Sequence, residues 1–238
     1  MLMSLLQGTR VTWLGHATVL VQVPGGTNLL IDPFIEHNPM YPKDFEFPEK
    51  IDYILLTHAH FDHTADAIPL AQKHGATVVA IVELAQYMAG KGVATTIGMN
   101  LGGTVQLPGV AVTMVEAKHS SSIEEGGVSL YLGVAAGLVL SVEAGPVLYH
   151  AGDTSVFRDM ELIHELYAPD IAMLPIGGHY TMGPKEAALA ARYVSPKLIL
   201  PIHWGTFPVL DGTPEALAEL VNDPEMVAMV SPGESLPG

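Results

Sequence analysis

Thr57-His58-Ala59-His60-Phe61-Asp62-His63 ends the apolar run that begins at Ile51. Three histidines and an aspartate fall within six residues, where a strand gives way to a polar turn. Catalytic groups are commonly carried on loops held by a rigid scaffold. In extended backbone His58 and His60 leave the chain on the same side, so their imidazoles can grip one cation. Asp62 and His63 stand at the start of an expected helix and can face a second. Imidazole and carboxylate donors suit Zn, Mn, Fe or Ni.

These residues cannot fill two coordination spheres, because a catalytic zinc typically has about three protein ligands plus water. Three later residues sit in comparable places. His119 follows the strand Val110 to Val115 and precedes Ser120-Ser121-Ser122. Asp153 lies in His150-Ala151-Gly152-Asp153-Thr154, after the strand Val147 to Tyr149. Its glycine neighbour permits a tight turn close to an ion. His203 follows the strand Leu198 to Leu200, in Pro201-Ile202-His203-Trp204-Gly205.

Short Val-, Ile- and Leu-rich runs bounded by Gly, Pro, Asn or Asp dominate the rest, which is the strand signal. Val11 to Leu14, Val19 to Val23, Leu29 to Ile31 and Ile51 to Thr57 come first, with Pro24-Gly25-Gly26 read as a hairpin connection. Thr64 to Lys73 has helical character, Thr77 to Ile81 is strand, and Glu83 to Ala89 a short helix. The middle reads as all-β: Val105 to Leu107, Val110 to Val115, Val128 to Leu132, Leu138 to Val142 and Val147 to Tyr149. The last third alternates: helix from Ser155 to Tyr167, strand from Ile171 to Leu174, helix from Pro184 to Tyr193, strand from Leu198 to Leu200, helix from Pro214 to Val221. Val227 to Val230 would close a sheet edge. Two groups of strands, each followed by helices, predict two sheets packed face to face with helices outside. No linker, low-complexity tract or short-period repeat interrupts the chain. A single domain over residues 1–238 is expected.

The chain is 49% hydrophobic and 15% charged, which predicts a large core and excludes disorder. The net charge of −15 repels nucleic-acid phosphates, so a broad DNA or RNA groove is not expected. Absence of cysteine excludes disulfides and thiolate ligands. Residues 1–10 form a short apolar run without a basic start, unlike a signal peptide. No stretch approaches the roughly 18 uninterrupted apolar residues of a membrane span. The expectation is a soluble, cytoplasmic protein acting on a small molecule. The apolar start and 11 methionines leave homo-oligomerisation open, although core packing is the default reading.

The run His58 to His63, followed in order by His119, Gly152-Asp153-Thr154 and His203, resembles the metallo-β-lactamase superfamily over most of the chain. Trp13-Leu14-Gly15-His16-Ala17-Thr18, Ile31-Asp32-Pro33-Phe34 and Gly177-Gly178-His179-Tyr180-Thr181-Met182-Gly183 resemble a branch of small bacterial and archaeal metal-dependent hydrolases. That branch is similar to the ascorbate-phosphate lactonases and to the phospholipase D acting on N-acyl phosphatidylethanolamines. The resemblance implies a four-layer αβ/βα sandwich of two mixed sheets, class α/β, with two divalent ions at one edge. It implies that His58, His60 and His119 hold one ion, that Asp62, His63 and His203 hold the other, and that Asp153 bridges them. Zinc is the first choice of metal. The chain lacks the cysteine ligand of several antibiotic-destroying relatives, and the long arm of the transfer-RNA-processing ones.

Two close cations can share a water and bring its pKa toward neutrality, giving a hydroxide that attacks a carbonyl or phosphoryl centre. An ester, lactone or phosphodiester would be cleaved without a covalent enzyme intermediate. Asp62 can orient the hydroxide while ligating. His16 would orient a ligand or touch substrate, or simply pack against a carbonyl. His179 would serve as general acid or substrate contact, or stand as a surface histidine. Asp32 is expected to accept a hydrogen bond from a ligand imidazole. His150 is read as buried and structural, Trp204 as core, Ser120 to Ser122 as solvated, and His37, His74 and His164 as ordinary. A metal-dependent nuclease, a non-haem iron redox enzyme and a catalytically silent metal-binding scaffold are the alternatives.

Overall fold

The computed structural model describes residues 5–237. The first four residues of the apolar start, considered above for an interface, lie outside the described residues. Fourteen strands and six α-helices among the described residues follow the order foreseen, apart from the differences noted below. The first sheet contains β1 (Arg10–Trp13), β2 (Val19–Gln22), β3 (Asn28–Ile31), β4 (Tyr53–Leu55), β5 (Thr77–Ile81) and β6 (Thr96–Met99), paired in sequence order. β1 to β3 form an antiparallel meander, and β3 to β6 run parallel. α1 (Phe61–Thr64) and α2 (Ala67–His74) connect β4 to β5, and α3 (Val82–Gly90) leads toward β6.

The second sheet uses β7 (Thr104–Leu107), β8 (Val110–Glu116), β11 (Ala136–Val142), β12 (Val147–His150), β13 (Ile171–Pro175) and β14 (Leu198–Ile202). Its order is β14-β13-β12-β11-β8-β7, parallel from β12 to β14 and antiparallel elsewhere. α4 (Met160–Tyr167), α5 (Pro184–Val194) and α6 (Pro214–Ala218) complete this half.

Alternation along the strands makes the layers. Leu138, Leu140, Leu148, Ile171, Met173, Leu198 and Leu200 share one core with β1 to β5 of the opposite sheet. Val139, Tyr149, Ala172, Leu174 and Ile199, one residue out of phase, share another with α4 and α5. That is the period-two rule of a sheet covered on both faces. Small residues on α5 (Ala187, Ala190, Ala191) let that helix sit close to β13. The result is the expected α/β sandwich of two mixed sheets flanked by helices.

Four differences from expectation have local causes. The helix foreseen from Ser155 begins only at Met160, because Ser155 N is tied to Lys118 O and Thr154 Oγ1 to Ser155 O. The helix foreseen from Thr64 to Lys73 splits into α1 and α2. β6 and β9 (Ser122–Glu125) went unread. β9 pairs with β10 (Val128–Tyr131) as a separate hairpin closed by Gly126-Gly127, both at positive φ. That two-glycine turn is a strong hairpin signal. β10 is the strand expected at Val128 to Leu132, whereas its partner β9, Ser122-Ile123-Glu124-Glu125, is polar and largely exposed and carries no apolar strand signal. Val227 makes a single bridge to Ile199 rather than a strand, covering the β14 edge, and Ser235 bridges Thr12 along the β1 edge. No helix among the described residues is long and apolar enough to cross a membrane.

Candidate metal centre

The pairing pattern places β1, β3 and β4 in one direction in their sheet, and β8, β12 and β14 in one direction in theirs. Each runs out at its carboxyl end into a loop bearing a candidate residue. These are His16, Asp32, His58, His119, Asp153 and His203 in that order. Six sequence-distant side chains thus meet at one end of the sandwich, with His60, Asp62 and His63 added by the start of α1. His16, Asp32 and His203 adopt positive φ (53°, 45° and 54°), a region costly for non-glycine residues and often kept at functional sites.

The candidate donor atoms form three overlapping groups, each spanning no more than 4.8 Å: His58, His60, His119 and Asp153; His16, Asp62, His63 and His203; and Asp32, His58 and His63. In the first, His58 Nε2 lies 3.0 Å from His60 Nδ1, and His60 Nδ1 lies 3.3 Å from His119 Nε2. Asp153 Oδ2 lies 3.4 Å from His119 Nε2 and 3.9 Å from His58 Nε2. In the second, His203 Nε2 lies 3.6 Å from Asp62 Oδ2 and 3.1 Å from Asp153 Oδ2. His63 Nε2 lies 3.3 Å from Asp153 Oδ1 and 3.9 Å from Asp62 Oδ2. Ligands at the usual zinc distances in a tetrahedron stand about 3.3–3.6 Å apart. His63 Nε2, both ring nitrogens of His203 and Asp153 Oδ1 are buried without a hydrogen-bond partner. Buried polar atoms are nearly always bonded. Of these, His63 Nε2, His203 Nε2 and Asp153 lie together, and polar atoms gathered without a bonded partner fit a cation.

Around the donors, a second set of bonds fixes their directions. Asp32 accepts from an imidazole of the cluster: its Oδ2 lies 2.8 Å from His63 Nδ1. Its Oδ1 accepts from Thr57 N at 2.8 Å and its Oδ2 from Thr57 Oγ1 at 2.6 Å. His16 is fully buried, with Nε2 2.9 Å from Asp62 Oδ2 and Nδ1 2.9 Å from Thr206 Oγ1. A carboxylate only accepts, so neutral His16 donates from Nε2 and accepts from Thr206. No lone pair is left for a metal, and His16 holds Asp62 rather than joining the ligands. Ser121 is not solvated as expected; it is buried and accepts from Ala59 N at 3.1 Å, anchoring the His58–His60 segment. His150 is structural, with Nε2 2.9 Å from Ala17 O. Trp204 stacks on Trp13 at 5.4 Å. His179 lies apart and exposed, its ring edge-on to Tyr180 at 4.4 Å.

Gly152 stands at φ +61°, and a Cβ there would come within 2.7 Å of Ala136 O. Only glycine lets Asp153 reach the centre at this point. Thr57, Thr206 and Ser121 were not singled out from sequence. Thr57 borders the histidine run and Thr206 lies three residues past His203, but which groups they bond depends on contacts between distant strands.

Burial lowers His58 far below the usual imidazole range, and neighbouring His63 adds to it. Burial also lowers His60 and His119, and takes His16 down to about 4. Burial opposes charge on His63 and His203 too, but Asp153 outweighs it. His203 is pushed up to about 9 and His63 is raised well above its ordinary value. Despite burial, His203 and His63 hold Asp153 well below the carboxylate range, and His63 and His16 do so for Asp62. Zinc added to metal-free protein near pH 7 therefore displaces protons from His63 and His203. Near pH 10, above the value of His203, it displaces fewer. Calorimetry in buffers of differing ionisation enthalpy counts them; equal release at both pH values would contradict this charge assignment.

The beta-lactamase superfamily domain profile matches residues 27–204. The chain belongs to the metallo-β-lactamase superfamily. It is 49% identical over 230 residues to a UPF0173 metal-dependent hydrolase of Koribacter versatilis, covering 97% of this chain and 98% of that protein. A UPF0173 metal-dependent hydrolase of Rubrobacter xylanophilus is 47% identical over 240 residues, covering 99% of each. Among solved structures, Igni18, a metallo hydrolase from the archaeon Ignicoccus hospitalis, superposes with a TM-score of 0.84 at 34% identity, over 96% of this chain and 97% of that one. The chain is an enzyme of the metal-dependent hydrolase class.

Proposed function

We propose that this superfamily member is a binuclear hydrolase of a small-molecule ester, lactone or phosphodiester, carried by one domain over residues 1–238. His58, His60 and His119 would hold one divalent cation, Asp62, His63 and His203 the other, and Asp153 would lie between them. Zinc suits the nitrogen and oxygen donors best, with manganese, iron or nickel compatible. The observation that carries this reading is Asp153: one buried carboxylate lies 3.1–3.9 Å from the imidazoles of His58, His63, His119 and His203, which belong to both groups.

A cation pair bound there supplies an acidified water nucleophile and polarises the bond to be cleaved. The chain's own residues do the rest. His16 keeps Asp62 ionised and aimed inward by donating to Oδ2. The partly exposed His60, Asp62 and His119 mark the side from which substrate enters. His179, exposed on the Gly177–Gly183 loop, is assigned the outer contact with substrate or leaving group. The neutral imidazoles of the first group offer lone pairs without first releasing a proton.

Elemental analysis of protein purified without added metal tests the reading. Wild type should carry about two ions per chain, and His58→Ala about one. One ion in the wild type would overturn the binuclear assignment, and two in the variant would overturn the place of His58 among the ligands.

A further inference from the structure

Resting on that two-cation reading, we propose that Thr57 relays Asp32 to His58, so that one buried carboxylate sets which imidazole nitrogen faces the cation in each of the two groups. Asp32, Thr57, His58 and His63 are all essentially excluded from solvent, so water does not compete for their bonds. The direction of each bond follows from counting protons. Asp32 can only accept. Its Oδ2 receives the Thr57 hydroxyl at 2.6 Å, short as befits a charged acceptor, and the His63 Nδ1–H at 2.8 Å. The Thr57 hydroxyl has one proton, and the carboxylate takes it. Its oxygen, 2.9 Å from His58 Nδ1, must then accept, and His58 must donate. His58 is thereby fixed with hydrogen on Nδ1 and a lone pair on Nε2, and His63 with hydrogen on Nδ1, so that Nε2, which faces Asp153 in each case, is the nitrogen each offers to a cation.

The alternative arrangement is close at hand, which makes the relay consequential. His58 Nε2 lies 3.0 Å from His60 Nδ1. With its hydrogen on Nε2, His58 would donate to His60 and tie up a donor atom of both residues. The Thr57 hydroxyl disfavours that closed pair by offering Nδ1–H a buried acceptor. Thr57 is thus a positioning residue for the first group alone, and Asp32 for both.

The test combines three variants and two readouts. In metal-free protein labelled with ¹⁵N-histidine, the ring-nitrogen spectrum of His58 should show hydrogen on Nδ1 in the wild type and in Thr57→Ser. In Thr57→Val, which keeps the shape and the backbone bond to Asp32, the hydrogen should move to Nε2. Zinc affinities from chelator competition should fall about 10- to 100-fold at one site in Thr57→Val, at both sites in Asp32→Asn, and at neither in Thr57→Ser. A thermal melt confirms that each variant is folded. His58 retaining hydrogen on Nδ1 in Thr57→Val would overturn the relay, as would wild-type zinc affinity at both sites. Failure of the wild type to bind two ions would instead overturn the binuclear reading, while the metal-free spectrum would still decide the relay.

Discussion

Asp153→Asn should lower hydrolysis by a thousandfold or more and reduce the metal content below two ions per chain. Asparagine matches aspartate in volume, so the buried site keeps its shape. What changes is charge and bonding. Asp153 is ionised far below the ordinary carboxylate range and reaches the donor imidazoles of both groups. An amide offers one neutral oxygen and a donor NH₂ where the proposed cation pair would need a bridging anion. Two cations held close together without that anion repel one another in a place with little water to screen them. Losing a charge-stabilising group from a catalytic centre costs on the order of 10²–10³ in rate by itself. Loss of one cation comes on top of that. Steady-state hydrolysis of a lactone or phosphodiester panel, with elemental analysis of the same samples, checks both effects. An Asp153→Asn variant with two ions and near wild-type turnover would remove Asp153 from the mechanism.

The histidine run was legible because its chemistry is local. Two residues of spacing put His58 and His60 together in any extended segment, and their donor atoms do lie 3.0 Å apart. His119, Asp153 and His203 were legible as isolated ligand-type residues just past strands, since carboxyl ends of strands gather at the same edge of a layered α/β fold. Which of its alternative roles His16 takes was not legible. Its partner Asp62 is 46 residues away and Thr206 is 190 away, so both contacts exist only once the two sheets have packed. The same holds for Ser121, whose hydroxyl reads as solvated until β4 and the loop after β8 are brought together. Helix starts were legible only roughly. The true start at Met160 is set by a bond from Ser155 to Lys118, on a loop from another strand. The two-glycine turn of the β9–β10 hairpin is present in the sequence, and only the polar character of β9 conceals the strand that precedes it.

Gly177→Ala is expected to be the most damaging single-methyl addition beside the centre, unfolding the protein about 10 °C earlier and weakening the second cation group. Gly177 follows β13, where that strand runs parallel to β14, and Ile176 N continues the ladder to Ile202 O at 3.0 Å. A Cβ on Gly177 would come within 2.2 Å of His203 O and 3.0 Å of Leu210 Cβ. The carbonyl cannot retreat easily. His203 N is bonded to His16 O at 2.8 Å, and the residue already sits at positive φ. Forcing an atom into such packing costs about 3 kcal/mol, and each kcal/mol moves the midpoint of a domain this size by roughly 2–4 °C. Moving His203 also takes its Nε2 away from Asp153 and Asp62, so zinc affinity of that group should drop together with stability. The neighbouring Gly178→Ala is the control. Gly178 has φ +74°, but the nearest atom to its Cβ would be 3.9 Å away. It should cost only the backbone penalty of about 1–2 kcal/mol and leave zinc binding intact. Thermal melts and chelator competition on the two variants separate a clash that reaches the ligand from strain that does not. Equal melting temperatures, or undiminished zinc affinity in Gly177→Ala, would show that His203 is not held where it is by the absence of that one methyl group.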